Sequence, residues 1–275
     1  MVTLKSPKEI EIMARAGSIV AATLELVRTL VRPGISTEEL DTTAERFIRS
    51  HRGAVPSFKG LYGFPKSLCI SINEEIVHGI PSPKRTLREG SIVSVDVGVQ
   101  LEGFHADAAT TIPVGEVAPD AERLLTVTQE ALVAGIAQAR VGNHVGDIGH
   151  AVQKVAEAAG FGVVRELVGH GVGQRMHEDP QVPNHGQPHR GVRLLAGMTI
   201  AIEPMVTLGD YATRMLDDKW TVVTADGSLS AHFEHTVALT KDGPRVLTRP
   251  AEAEAVTAAV PAGSASPPAP QRRLG

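Results

Sequence analysis

One cysteine, Cys69, is the only thiol in this 275-residue chain. It excludes an internal disulfide and any multi-cysteine zinc site, and it suits a reducing compartment. Basic residues are not in excess. The 27 Lys and Arg stand against 31 Asp and Glu, a net charge of −4, with no dense basic run, so there is no electrostatic case for nucleic acid or another polyanion as partner. No stretch of about 18 apolar residues is present to span a membrane. The start, Met1-Val-Thr-Leu-Lys-Ser-Pro-Lys-Glu9, lacks the apolar centre of a signal peptide. Three signatures also fail. Gln181 stands where a zincin helix beginning His177-Glu178 needs its second histidine. Gln174 stands where a dinucleotide loop through Gly169 and Gly171 needs glycine, and no phosphate-binding Gly-Lys-Ser/Thr occurs.

What is present is a core-forming chain, 42% hydrophobic, long enough for one large domain or two modest ones. Ser6-Pro7-Lys8-Glu9 combines an N-cap serine, proline at the first helical position and a capping-box glutamate. It predicts a long amphipathic helix through Ile10, Met13, Val20 and Val27 to about Pro33-Gly34. Ser36-Thr37-Glu38-Glu39 is a second capping box and opens a shorter helix to Gly53. The order then recurs, with a helix from Pro119-Asp120 through Ile136 and a shorter one opened by Asp147 and ending at Gly160. Arg32-Pro33-Gly34 and Arg140-Val141-Gly142 separate the two helix pairs at an offset of 108. Two copies of a helix-helix-strand unit are implied, about 6–113 and 119–245, within a single domain over 1–249. Strands are expected over 67–73, 91–100, 104–113, 198–206, 220–224 and 232–240. Helices and strands in blocks point to an α+β fold, helices covering one face of a mainly antiparallel sheet. Small residues and prolines fill 250–275, and that tail is expected to be disordered.

The chemistry centres on Asp96 and Asp107. Val93, Val95, Val97 and Val99 alternate with Ser94, Asp96 and Gly98, so both aspartates belong to the non-valine face of a hairpin. A turn centred on Leu101-Glu102 would pair residues whose numbers sum to 203, placing Asp96 opposite Asp107 and Gly98 opposite His105. Like charges directly opposite are destabilising, so such a pair calls for a proton or a cation. His170 lies among three glycines, where backbone can approach a ligand closely. Glu203 and Glu234 sit in apolar strand segments, where a carboxylate is costly unless paired or bound to metal. Four carboxylates match the charge of two divalent ions, and one imidazole among them makes a hard site suited to Mn, Fe or Co.

Seven segments carry a family resemblance: Cys69-Ile-Ser-Ile-Asn-Glu-Glu-Ile-Val-His78-Gly-Ile-Pro81, Ser94-Val-Asp96-Val-Gly, Gly103-Phe-His-Ala-Asp107, Gly169-His170-Gly-Val-Gly, Met176-His177-Glu-Asp-Pro, Ile202-Glu203-Pro and Phe233-Glu234-His-Thr. In order and spacing they resemble the type I methionine aminopeptidases, over roughly residues 4 to 248. The resemblance implies the pita-bread fold, two pseudo-symmetric halves around a dinuclear metal centre. It also implies removal of initiator methionine when the next residue is small. By the same resemblance Asp96 would chelate one ion, Asp107 and Glu234 would bridge, and His170 with Glu203 would complete the other ion. Glu203 would double as general base, and His78 and His177 would contact the scissile amide.

The implied methionine pocket comprises Phe58, Leu61, Phe64, Cys69, Met176 and Trp220. Leu61 and Phe64 stand where better-known relatives carry tyrosine, so the same substrate is expected in a pocket of altered shape. His105 is expected on the metal side as an outer partner of a ligand. The resemblance further implies two divalent ions drawn from Co, Mn, Fe, Ni or Zn, a monovalent cation besides, and Met-peptide substrates met near the ribosomal exit. The protein is expected to be a cytoplasmic monomer of the short bacterial form, its own Met1-Val2 end open to such processing. Two other readings are a same-fold prolidase or aminopeptidase P, and a peptide- or ribosome-binding module without activity. The first normally has an extra amino-terminal domain, and the second loses ligands that are all present here.

Overall fold

The structure, a computed structural model, describes residues 2–249; the tail expected to be disordered lies outside the described residues. Four helices carry the scaffold: α1 (Pro7–Leu30), α2 (Thr37–Ser50), α3 (Pro119–Gln138) and α4 (Val145–Ala158). Both expected capping boxes form. Ser6 and Ser36 accept the backbone N–H of Glu9 and Glu39, whose carboxylates accept the N–H of each serine. α4 starts two residues before the expected Asp147. His144 is its N-cap, and Asp147 reaches back as the third residue, accepting the His144 N–H at 2.7 Å.

Every strand pairing among the described residues is antiparallel. The centrepiece is the hairpin of Ile92–Leu101 and Phe104–Pro113. Its register corrects the sequence expectation. Leu101 pairs with Phe104, so the two-residue turn is Glu102-Gly103, with φ of 49° and 83°, the left-handed pair that a tight primed turn requires. Partner numbers therefore sum to 205. Asp96 faces Ala109, Gly98 faces Asp107, and Gln100 faces His105. Because the shift is even, no side chain changes face. The aspartates become diagonal neighbours on one face, not directly opposed residues.

The valine face is fully buried. Val93, Val95, Val97 and Val99 pack with Val20 and Val27 of α1 and Leu40, Ala44 and Ile48 of α2. A matching core in the second half joins Leu124, Leu132 and Ile136 of α3 and Ile148 of α4 to Ile200, Ile202 and Val206. The hairpin's other face is left for polar residues, against which the second half closes.

Two expected strands are each broken at a glutamate. The 198–206 segment divides into Thr199–Ile202 and Met205–Thr207, and the 232–240 segment into Ser230–His232 and His235–Thr240. Ile202 pairs with His235 and Met205 with His232, one register on both sides of the break. In that register Glu203 lies opposite Glu234. Pro204 has no N–H for the ladder, and only Phe233 N–H to Pro204 O, at 3.3 Å, bonds across the gap. Strands Glu75–Val77, Gly169–Gly171 and Glu178–Val182 were not anticipated. They are short and rich in glycine or charge, so no alternation marks them.

Candidate active site

A cavity of about 660 Å³ opens between the halves, with Asp96, Asp107, His170, Glu203 and Glu234 on its wall. The hairpin supplies the aspartates and the two strand breaks supply the glutamates. Asp107 is anchored twice by Thr236: its N–H donates to Thr236 Oγ1 at 3.0 Å, and the Thr236 hydroxyl lies within donating distance of Asp107 Oδ1 at 3.0 Å. Glu234 N–H donates to Ala109 O at 2.9 Å. These bonds join the second half to the polar face of the hairpin.

His170 stands in Gly169–Gly171 for a steric reason. A Cβ on Gly169 would lie 2.4 Å from Ala201 O, and one on Gly171 only 2.2 Å from Asp179 O. Neighbouring backbone fills both positions. Gly171→Ala should therefore destabilise the fold by about 1–3 kcal/mol, the usual cost of overpacking, and lower the melting temperature in a calorimetric scan; an unchanged melt would refute this. His170 Nδ1 lies 2.8 Å from Gly171 O. A carbonyl can only accept, so Nδ1 carries the proton and Nε2 presents a lone pair. That Nε2 is 3.6 Å from Asp107 Oδ2 and 3.6 Å from Glu203 Oε1. Both separations exceed a hydrogen bond and match two ligands of one ion, whose bonds run about 2.0–2.2 Å.

Electrostatics tell the same story. Burial, and then neighbouring carboxylates, push Asp96, Glu203 and Glu234 well above the usual carboxylate range. Burial pushes Asp107 up to about 6. Asp96 Oδ1, Glu234 Oε1 and His232 Nε2 are buried without a hydrogen-bond partner. Orphaned acceptors beside crowded carboxylates are a donor set that cations would satisfy, and the residues fit a metal centre.

Without ions the cluster opposes folding. A carboxylate whose folded pKa is raised favours the fold when protonated, so its contribution is present below the unfolded value and is lost as pH rises. Chelated protein should lose stability as pH climbs from the ordinary 3.8 of aspartate through about 6. Asp96→Asn should flatten that loss and raise the apo melting temperature by a few degrees, on the scale of about 2–4 °C per kcal/mol. Equal melts for the two apo proteins would contradict it.

His78 and His177 also line the cavity. His78 follows Glu75–Val77 with φ 61°, and His177 precedes Glu178–Val182. Burial lowers the pKa of both, that of His177 to about 4, so each imidazole is neutral near pH 7. The His177 ring meets His170 edge-on at 4.5 Å.

Phe58, Leu61, Phe64, Cys69 and Trp220 line one side of the cavity. Met176 is 2% exposed and packs against Phe58, Phe64 and Cys69 behind that lining. Cys69 pairs with Asp96 across the sheet, and burial pushes its thiol up, with Asp96 adding to the effect. His105 turns elsewhere. Its Nδ1 is 2.9 Å from Ser57 Oγ and its Nε2 3.1 Å from Gln100 Nε2, so its side-chain hydrogen bonds go to neither aspartate.

Three residues escaped sequence reasoning. His232 is 2% exposed, with Nε2 3.7 Å from Glu203 Oε2. Thr236 holds Asp107, and Tyr62 stacks on His177 with centroids 5.8 Å apart. The first two carry a readable signal. His232, Glu234 and Thr236 follow a period of two, which places them on one face of an extended chain. Tyr62 carries none, since it sits in the Leu61–Gly63 turn with φ 52°.

Comparison with known proteins agrees with this geometry. Residues 11–241 match metallopeptidase family M24. The chain is 55% identical over 248 residues to a methionine aminopeptidase of Clostridium perfringens, covering 90% of this chain and 99% of that protein. It is 52% identical over 249 residues to methionine aminopeptidase 1 of Bacillus subtilis, covering 90% and 100%. The crystal structure of a methionine aminopeptidase from Thermotoga maritima shares 45% identity with a TM-score of 0.89, covering 90% of this chain and 100% of that one.

Proposed function

Because the chain belongs to the type I methionine aminopeptidases of metallopeptidase family M24, with their pita-bread fold, we propose that it removes initiator methionine when the second residue is small. Two divalent ions would be held by Asp96 on one side, by His170 and Glu203 on the other, and by Asp107 and Glu234 shared between them. When bound, such ions activate water at neutral pH and polarise a carbonyl oxygen as Lewis acids.

The chain's own groups then divide the remaining work. Glu203, on the cavity wall between His170 and His232, would take the proton of the attacking water as general base. His78 and His177, neutral near pH 7, donate N–H bonds to the scissile amide as charge develops on its oxygen. Phe58, Leu61, Phe64, Cys69 and Trp220 exclude water and receive the thioether side chain. Leu61 and Phe64 bring no hydroxyl, so these two positions would discriminate by shape. The single observation that carries this assignment is convergence: five candidate ligands from four separated segments share one wall with both histidines and the apolar pocket.

The halves 6–113 and 119–245 are read as copies of one unit within a 1–249 domain, supported by two cores that each join a helix pair to strands. Nascent chains at the ribosomal exit are the natural substrate in this scheme, met by a cytoplasmic monomer. No helix among the described residues is long and apolar enough to cross a membrane. Metal-loaded protein should release methionine from Met-Ala-Ser and spare Met-Lys-Ser, assayed by free methionine. No release from the first peptide, or faster cleavage of X-Pro dipeptides, would defeat the proposal.

A further inference from the structure

A second group of ligating atoms gathers where α4 begins, and none of its residues lines the large cavity. His144 caps the helix, Asp147 occupies its first turn, and His189 arrives from the loop over residues 183–191. His144 Nδ1 is 3.7 Å from Asp147 Oδ2, and His189 Nδ1 is 3.6 Å from Asp147 Oδ1. One atom from each residue lies within 4.8 Å of the other two. Hydrogen bonds would be shorter than these gaps. Ligands about 2.0–2.2 Å from a shared tetrahedral ion stand roughly 3.3–3.6 Å apart, and each imidazole stands at nearly that spacing from one carboxylate oxygen, His144 from Oδ2 and His189 from Oδ1. His144 Nδ1 is buried and has no hydrogen-bond partner although it faces the carboxylate.

The carboxylate at the centre of the group is held before any ion arrives. Asp147 accepts the backbone N–H of His144 at 2.7 Å and of His189 at 2.9 Å. Those bonds fix the plane of the carboxylate and leave two of its lone-pair positions open toward the imidazoles. The loop can lie this close because the helix face beneath it is bare. A Cβ on Gly146 would stand 2.4 Å from Gln187 O, and one on Gly149 2.5 Å from His185 O. Gly146 N–H in turn donates to Arg190 O at 2.9 Å. Two glycines about one helical turn apart, a buried capping aspartate and a histidine on each side of it, His189 with its side chain largely exposed, make a three-ligand site at the surface whose aspartate is already fixed.

We propose that His144, Asp147 and His189 bind one divalent transition-metal ion of the zinc class, separate from the ions of the large cavity. Two imidazole nitrogens and one carboxylate with an open fourth position are a ligand set for Zn²⁺, Co²⁺ or Ni²⁺. Ca²⁺ and Mg²⁺ prefer oxygen, and because the positive end of α4 disfavours every cation, the two nitrogens and the Asp147 charge must supply the affinity. The ion would clip the 183–191 loop to α4. Asn184 of the same loop donates to Glu203 O at 2.9 Å, so the clip also stiffens the segment that holds the Glu203 backbone.

The test is calorimetric titration of the full chain with Zn²⁺, comparing His189→Asn and His144→Ser with the parent, in wild-type and Asp107→Asn backgrounds. Asparagine tolerates the left-handed φ of 62° at position 189, so His189→Asn keeps its fold. Each variant should bind one equivalent fewer than its parent in both backgrounds, or bind that equivalent more than about 100-fold more weakly, beyond what loss of an outer partner costs. Zn²⁺ should raise the melting temperature of the Asp107→Asn protein, and that rise should vanish when His189→Asn is added. Methionine release by His189→Asn at saturating metal should persist, so failure here is distinct from failure of the peptidase assignment. Identical stoichiometry and affinity in parent and variants would overturn the proposal and leave Asp147 as a helix cap alone.

Discussion

Asp107→Asn should leave a folded protein that has lost metal from the large cavity and releases methionine from Met-Ala-Ser at least about 10³-fold more slowly, beyond the 10–100-fold cost of losing an outer partner. The side chain lies at the crossing point of the candidate centre. An oxygen of Asp107, a ring nitrogen of His170 and an oxygen of Glu234 gather within 4.8 Å of one another, and Asp107 Oδ2 faces His170 Nε2 across 3.6 Å. Asparagine preserves size and can keep both bonds to Thr236, so the hairpin need not move. What it removes is the charge and one oxygen lone-pair set, replaced by an amide that repels a cation. Asp96 sits two residue pairs further along the hairpin, diagonal to Asp107, and is assigned to one ion only. Its asparagine variant should therefore retain more metal and more activity than that of Asp107. Metal analysis by mass spectrometry, run beside the peptide assay at saturating metal, decides the matter. Full metal occupancy in Asp107→Asn, or activity within tenfold of wild type, would remove Asp107 from the bridging role.

How much of this centre could be read from residues alone depends on periodicity. The valine alternation placed Asp96 and Asp107 on the correct face even though the turn was set one residue early, because an even register error leaves faces unchanged. The direct opposition of the two aspartates did not survive, since Gly103 takes the second turn position that Leu101-Glu102 was assigned. Capping boxes marked α1 and α2 because serine and glutamate make their bonds within four residues of chain. α4 starts ahead of the position its sequence marks because His144 is not a standard cap and Asp147, the residue that carries the capping signal, is the third of the helix. Glu203 and Glu234 were recognised as anomalies in apolar strands. That both stand at matching breaks in a single register is a tertiary fact, set by Pro204 and by the partner strand. Thr236 and His232 obey the same alternation as Glu234 and were legible in principle. Tyr62 depends on a left-handed turn carrying its ring across to the other half, and no local pattern encodes that.

His177→Ala should lower kcat by about 10²–10³-fold, the range for removing one donor to a developing oxyanion, while metal content and melting temperature stay near those of wild type. Its place in the cavity supports a role separate from ligation. The ring is packed edge-on against His170 at 4.5 Å and faces Tyr62 on its other side, while its Nδ1 stands 3.4 Å from the Tyr62 hydroxyl. Burial, and then His170, hold its pKa down to about 4. Across neutral pH it is therefore a neutral donor whose N–H strengthens its bond as charge grows on the substrate oxygen. A cationic imidazole would repel ions held by His170 and the carboxylates beside it, so neutrality is also what lets it stand so close. This fixes the pH behaviour. Titration of His177 should leave no mark on kcat between pH 6 and 8, and its own contribution to any acid loss of activity should begin only as pH falls toward its value of about 4. His177→Gln, which restores an N–H, should recover part of the loss, whereas a packing role would be served as well by leucine. Tyr62→Phe removes the phenol but keeps the ring over His177, and it should cost far less than His177→Ala. If His177→Ala instead sheds metal in proportion to its loss of activity, His177 acts through the ligands and not on the scissile amide.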